Sequence, residues 1–341
     1  MIDLATYRKM HLTHTDRQND ELGPEKMERD EPPDETFLLL LPTTIYGFDL
    51  REKSWVDLAV DRIRPVEWNK QAFESLVIEP RTKELIQALV TVHADAKRGI
   101  RNASADLISG KGNGLIMLLH GGPGTGKTLT AGSVAELSEK PLYRVTCGDI
   151  GTTAENVEKY LKSILFLGKT WDCVVLLDEA DVFLEERTLA DLQRNALVSV
   201  FLRMLEYYEG ILILTSNRVG TFDEAFKSRI QLAIHYPSLG SEQRKKIWQN
   251  FFKALSRDDI RANFRGLENH LDELATYNMN GRQIRNAITT ATQLAKYRKQ
   301  TLEFDHLKQV LQTSNDFEQY LLLTHGHTDE QFAKDEGIRY S

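Results

Sequence analysis

The stretch Gly121-Gly122-Pro123-Gly124-Thr125-Gly126-Lys127-Thr128 constrains this chain more than any other. It fits the pattern G-x-x-x-x-G-K-[ST]. Leu115-Ile116-Met117-Leu118-Leu119 ahead of it is a short apolar run and predicts a buried parallel strand, while Leu129 to Leu137 behind it predicts a helix. A glycine loop between strand and helix lets backbone N–H groups close round a polyphosphate at the helix N-terminus. Gly122, Pro123, Gly124, Thr125, Gly126, Lys127, Thr128 and Leu129 are therefore the candidate nucleotide cradle. Lys127 is placed to reach the β- and γ-phosphates, and the Thr128 hydroxyl to bind Mg²⁺. Chance alone puts the four fixed residues in roughly one chain in a hundred of this length. The strand–loop–helix setting lowers that further.

With 341 residues there is room for two or three domains. Hydrophobic residues make up 41% and charged residues 27%, which places the chain among soluble globular proteins. A net charge of −7 and a pI of about 5.8 argue against nucleic acid or an anionic membrane as partner. The two cysteines, Cys147 and Cys173, lack metal-ligand spacing and adjoin predicted core strands, so both are expected to be buried thiols in a reducing compartment. Met1 to Asp20 is polar and carries both charge signs, unlike a signal peptide. The apolar block Phe37–Leu41 ends at Pro42 and is too short to span a bilayer. No membrane span and an intracellular location are expected, the cytoplasm first, with the nucleus or an organelle matrix as the alternatives.

Residues 1–36 are expected to form a flexible arm, because the part from about 12 onward has many charges, three prolines and almost no apolar residues. Residues 37–71 read as a short β segment and linker. Phe37–Leu41, Ile45–Leu50 and Trp55–Val60 are its strand candidates, with one hairpin among them. So few strands bury little alone, so this piece packs on the next domain or is the remnant of a larger N-terminal one. From 72 to 238, strands alternate with helices. A helix is predicted from about Pro80 to Val92, and a glycine-rich loop over Gly110–Gly114. Strands are predicted at Leu142–Cys147, Cys173–Leu177, Ile211–Thr215 and Ile230–His235, with helices at Ala154–Leu167 and Leu189–Tyr207. This alternation means a parallel sheet covered by helices on both faces. After Pro237 the strand signals stop. Glu242–Leu255, Gly281–Tyr297, Phe304–Leu311 and Asp316–Leu323 predict a small all-α domain over 239–341.

Val174-Val175-Leu176-Leu177 ends in Asp178-Glu179, 51 residues after Lys127. An acid at that strand tip suits the Mg²⁺ shell, and Glu179 suits a general base for the attacking water. Ile211 to Thr215 is the next apolar strand, followed by Ser216-Asn217-Arg218. Ligands sit outside the carboxyl ends of parallel strands, so Asn217 is placed to touch the γ-phosphate or orient the water. An ordinary turn asparagine is the competing reading. Arg229 reads either as a solvated charge at a helix end or as an arginine finger for another subunit's nucleotide.

The glycine loop, Asp178-Glu179, Asn217 and Arg229 follow in the order and approximate spacing of the AAA+ ATPases, and an all-α region comes after them. The chain resembles that family over roughly residues 72–325. The resemblance implies an α/β P-loop NTPase with a parallel sheet sandwiched by helices, a small all-α lid and a short β-containing N-terminal segment. In family terms Asp178-Glu179 resembles Walker B, Asn217 sensor 1 and Arg229 the arginine finger. Arg282, in Asn280-Gly281-Arg282, matches the sensor 2 position, with Arg285 in reserve. ATP and Mg²⁺ are the implied cofactors, with Thr128 and Asp178 at the metal. A homohexameric ring acting on a protein substrate is the implied assembly.

More narrowly, the chain resembles a group of uncharacterised AAA proteins from filamentous fungi. Val145-Thr146-Cys147-Gly148-Asp149-Ile150, Leu205-Glu206-Tyr207-Tyr208-Glu209-Gly210 and Thr221-Phe222-Asp223-Glu224-Ala225-Phe226 carry that likeness, with Thr170–Cys173 and Phe183–Arg187. Members of that group are usually longer at the N-terminus, so a fragment or a short gene product is expected.

Two departures from the wider family matter. Many AAA motors grip a threaded polypeptide with an aromatic–aliphatic–Gly loop after the second strand. Here Cys147-Gly148-Asp149-Ile150-Gly151-Thr152-Thr153 is short and has no aromatic ring, and Tyr160 falls within the next helix. Many relatives also carry two arginines spaced by Pro-Gly, whereas Lys227-Ser228 precedes a single Arg229. An ATP-driven protein remodeller is the leading reading. A nucleic-acid motor or loader and a nucleotide-gated scaffold with little turnover are the alternatives. A small-molecule kinase has no need of Asn217, Arg229 and the lid together.

Overall fold

A helix stands where the sequence predicts the start of a flexible arm. A computed structural model describes residues 1–11, 39, 41–97, 114–150, 154–184, 192–218, 224–257 and 260–325, and divides the chain into units 1–67 and 68–341. In the first unit, α1 (Leu4–Met10) is capped by Asp3, whose carboxylate accepts from the Thr6 N–H at 2.9 Å. It packs on an antiparallel hairpin of β1 (Thr44–Asp49) and β2 (Ser54–Ala59). Tyr7 stacks on Tyr46 at 4.9 Å between ring centroids, and Trp55 meets Tyr7 edge-on at 5.0 Å. Those contacts give a seven-residue helix the tertiary support that its own hydrogen bonds do not supply. The remainder of the expected arm, and Phe37, Leu38 and Leu40 of the first expected strand, lie outside the described residues.

The second unit opens with α2 (Gln71–Glu74) and α3 (Pro80–Lys97). Then β3 (Leu115–Gly121), α4 (Lys127–Ser138), β4 (Leu142–Thr146), α5 (Cys147–Ile150), α6 (Ala154–Thr170) and β5 (Val174–Asp178) follow. Next come α7 (Asp181–Leu184), α8 (Leu192–Glu206), β6 (Ile211–Ser216), α9 (Glu224–Lys227) and β7 (Leu232–Tyr236). The five strands lie in the order β4-β5-β6-β3-β7 and all pairs are parallel. The runs of the three central strands β5, β6 and β3 are mostly apolar because both faces are covered there. Leu115, Met117, Leu119, Leu176 and Ile213 face a core completed by Ala131 and Val134 of α4 and by Ile86 and Val90 of α3. The alternate residues Leu118, Val175, Leu177, Leu212 and Leu214 are just as buried, and α6 packs on β5 and α8.

Small shifts from the predicted ends have local causes. The strand expected to reach Cys147 stops at Thr146, because Asp149 turns back to accept from the Thr146 N–H and Oγ1, both at 2.7 Å. The next strand starts at Val174, after a turn in which Asp172 has φ +50. Cys173 is a buried free thiol as expected, and the Cys147 side chain lies outside the described residues.

The all-α region contains α10 (Ser241–Leu255), α11 (Phe264–Asn269), α12 (Leu271–Thr276), α13 (Gly281–Tyr297) and α14 (Phe304–His325). Trp248, Phe252, Leu267, Leu274, Ile284, Ile288 and Leu307 form its own core. The last two predicted helical pieces are one helix, α14. The pair α11 and α12 was not predicted, since six residues each are too few to show a 3.6-residue period. Asn250 Nδ2 donates to the Ser75 carbonyl at 2.7 Å, which ties α10 to the segment after α2. Among the described residues, no helix is long and apolar enough to cross a membrane.

Candidate nucleotide site

Strand order decides where the site lies. β3 is flanked by β6 and β7 while the chain leaves it for β4, so the carboxyl ends of β3, β5 and β6 open on one crevice. The glycine loop emerges there from β3. Gly121, Gly124 and Gly126 have φ of +142°, +72° and +110°, conformations that L side chains rarely adopt. The loop wraps the Lys127 ammonium, which donates to the Gly121 carbonyl at 2.9 Å and the Gly122 carbonyl at 2.7 Å. Thr125 Oγ1 braces the loop by donating to Gly122 O at 2.8 Å. Thr130 in the first turns of α4 accepts from the Tyr236 hydroxyl at 2.8 Å, and burial pushes that phenol up to about 12. Leu129 stands exposed on the same turn.

Asp178 is the hub of the site. Its carboxylate accepts from Thr128 Oγ1 at 3.1 Å and from Thr215 Oγ1 at 2.5 Å, and pairs with the Arg144 guanidinium at 2.6 Å. The next residue, Glu179, is exposed and held at φ +58°. Such a conformation costs a non-glycine residue about 1 to 2 kcal/mol, and Thr215 of β6 over-determines it. The Thr215 hydroxyl accepts from the Glu179 N–H at 2.9 Å, and its carbonyl accepts from the Ala180 N–H at 2.8 Å. Ser216 adds a parallel tie by donating to Asp181. Asn217 follows at the tip of β6, half-buried, so the structure brings Thr128, Asp178, Glu179 and the strand carrying Asn217 to one place.

Arg229 lies elsewhere. Its NH1 donates to the Ala225 carbonyl at 2.7 Å and its NH2 stands 3.5 Å from Glu206, both in its own chain. The all-α region reaches the loop through α13. The Gly281 N–H donates to Gly124 O at 2.9 Å, and a Cβ on Gly124 would come within 2.5 Å of the Asn280 amide. Asn280 caps α13 by accepting from the Gln283 N–H at 2.9 Å. Arg282 and Arg285 are both exposed on the first turns of that helix, so the backbone of Gly281 makes the contact with the loop.

Sequence reasoning missed Thr215, Arg144, Asn280 and a stacked pair of histidines. His120 and His235 pair across β3 and β7 with ring centroids 5.1 Å apart. Burial, then His235 and Lys127, hold His120 below its ordinary value, so it is neutral at physiological pH. Arg144 had a signal, a charge in the middle of an otherwise uncharged strand. Thr215 had none, because a threonine suits any strand.

The geometry has counterparts among known proteins. The model of the AAA family, ATPase family associated with various cellular activities, matches residues 117–238. That of the fungal AAA+ ATPase lid domain matches residues 239–328 directly after it. The chain belongs to the AAA+ ATPases. This AAA+ ATPase is 30% identical over 200 residues to ATPase family AAA domain-containing protein 3 of Caenorhabditis elegans, covering 56% of this chain and 34% of that protein. It is 29% identical over 192 residues to the Xenopus laevis protein 3-B of the same name, covering 54% of this chain and 30% of that one. The match thus spans about a third of the length of these relatives. Among solved structures, the FIGL-1 AAA domain shares the fold with a TM-score of 0.54 at 17% identity, over 72% of this chain and 85% of that one. The likeness to the FIGL-1 domain extends to the fold alone, and the fungal lid model accords with the likeness to fungal AAA proteins.

Proposed function

We propose that this AAA+ ATPase hydrolyses ATP at sites shared between the subunits of a homohexameric ring and uses the cycle to remodel a protein substrate. The observation that carries it is the joint anchoring of Asp178 and Glu179 by Thr215, beside a glycine loop bonded to the lid at Gly281. In this reading residues 72–238 are the nucleotide-binding domain and 239–341 the lid and tail. The positive-φ glycines turn loop N–H groups toward the phosphates, and Lys127 exchanges its carbonyl partners for phosphate oxygens. Thr128 Oγ1 and the Asp178 carboxylate, 3.1 Å apart, form a hard oxygen set that suits Mg²⁺. When bound, that ion neutralises charge on the β- and γ-phosphates.

Glu179 takes the proton of the attacking water as the bond between the γ-phosphorus and the bridging oxygen breaks, and Asn217 orients that water. Arg229 leaves Ala225 and Glu206 to face a neighbour's γ-phosphate, as an arginine finger does in trans. Arg282 is the lid residue assigned to the phosphates as sensor 2. Closure of the lid acts on the loop through the Gly281–Gly124 bond, so a change at the phosphates becomes a hinge motion.

Affinity capture with Glu179→Gln tests this. The variant should bind ATP, hold the ring together and retain a protein that the wild type releases. A variant that hydrolyses at the wild-type rate ends the role given to Glu179, and a ring that retains no protein ends the remodelling assignment.

A further inference from the structure

β4 reads Leu-Tyr-Arg-Val-Thr, with Arg144 the charge at its centre. Side chains alternate along a strand, and the register pairs Arg144 with Leu176 and Thr146 with Asp178. Arg144 and Asp178 therefore share a face of the sheet, one step apart diagonally. From there the guanidinium donates to Asp178 Oδ2 at 2.6 Å. The other described donors to this carboxylate, Thr128 and Thr215, are neutral hydroxyls. Arg144 thus supplies the positive charge that balances the acid.

The two members of the pair are unequal. The Arg144 side chain is 55% exposed and that of Asp178 only 8%. Asp178 is held by its strand and by Thr215, whereas the guanidinium at the rim can turn into water with little change in solvation. A cation approaching Thr128 and Asp178 meets a carboxylate that already has a counter-ion, and gains its full charge only by displacing that counter-ion.

We propose that Arg144 is the resident counter-ion of Asp178, a positioning residue that sets how much free Mg²⁺ the nucleotide site requires by yielding the carboxylate to the hydrated ion. This rests on the assignment of Thr128 and Asp178 to the metal. Loading is then an exchange of one cation for another. A part-exposed charged pair of this kind corresponds to about a two- to fivefold change in a binding constant.

The test is binding of a fluorescent ATP analogue to the full chain, titrated with Mg²⁺ from an EDTA-buffered start. Arg144→Gln removes the charge, Arg144→Met removes it while keeping the aliphatic stem packed, and Arg144→Lys keeps it. The half-saturating Mg²⁺ concentration should fall about two- to fivefold in the Gln and Met variants and stay within about 1.5-fold of wild type in the Lys variant. Affinity in EDTA should be unchanged in all of them. A folded Gln or Met variant with an unchanged requirement shows that Arg144 only braces the strand, and a raised requirement shows that it serves the metal; either overturns the proposal. A structural role alone would move the melting temperature and leave the Mg²⁺ midpoint in place. Nucleotide binding by the wild type that ignores Mg²⁺ would instead refute the metal assignment itself.

Discussion

Thr215→Val deletes one oxygen at the point where β6 holds the acidic turn of β5. Thr215 is 1% exposed, so water does not replace what is lost. Its hydroxyl donates to Asp178 at 2.5 Å and accepts from the Glu179 N–H at 2.9 Å. A hydrogen bond to a charged group contributes about 1.5 to 3 kcal/mol and one between neutral groups about 1. Valine fills nearly the same volume and its extra methyl offsets a part, so the net loss is about 2 to 3 kcal/mol. At about 2 to 4 °C per kcal/mol for a unit of this size, the melting temperature should fall by about 4 to 12 °C. Turnover should fall further than stability suggests. Without the clamp, Glu179 relaxes from φ +58° and its side chain is redirected. A misplacement of about 1 Å at a reacting group lowers a rate by up to about a hundredfold, so kcat should drop at least tenfold. Thr215→Ser keeps the hydroxyl and should keep most of both properties. The assays are a thermal melt by circular dichroism, steady-state ATP hydrolysis, and nucleotide affinity. Affinity should stay within about threefold, since the glycine loop is untouched. A Thr215→Val protein with kcat within twofold of wild type would refute the idea that this hydroxyl positions Glu179 for turnover.

Other changes probe the loop, Arg229 and the core. Gly124→Ala places a Cβ at φ +72° against Asn280, so it should destabilise by about 1 to 3 kcal/mol in a urea melt. Asn280→Gly, a mild change at a helix N-cap, should restore part of that loss; no recovery would mean the lid contact is not what resists the side chain. Arg229→Ala should bind ATP as well as wild type yet turn over at least a hundredfold more slowly in the assembled ring; hydrolysis at the wild-type rate would exclude a finger in trans. Burial pushes the Cys173 thiol from its ordinary 9.0 up to about 12. Below pH 9 both states keep the proton, and above it the unfolded chain loses one that the folded chain retains. Stability should therefore fall as pH rises between 9.0 and about 12. Tyr236 acts in the same sense from 10.0 to about 12. Cys173→Ala should flatten the urea midpoint between pH 8 and pH 10, and a slope identical to wild type would show that this thiol is not the source.

The elements legible in the sequence were those that repeat a pattern over enough residues to average out exceptions. Leu115–Leu119 and Ile211–Thr215 read as buried parallel strands because both faces of the sheet demand apolar side chains. Gly281–Tyr297 read as a helix because Ile284, Ala287, Ile288 and Ala291 recur on one stripe. The helix at Leu4–Met10 was missed because its support comes from Tyr46 and Trp55, far along the chain.

Taken by itself, the sequence determined the class of fold and the presence of a phosphate loop followed by Asp178-Glu179, since local chemistry sets both. Glycine is required where the backbone turns to positive φ, and an acidic pair after an apolar run marks a strand tip. The tertiary structure alone decided who holds whom. Thr215 clamps Glu179, Arg144 balances Asp178, Gly281 meets Gly124, and Arg229 rests on Glu206. Each of these joins residues brought together by strand order or helix docking, and such pairings depend on register and packing, which leave no mark on either residue alone.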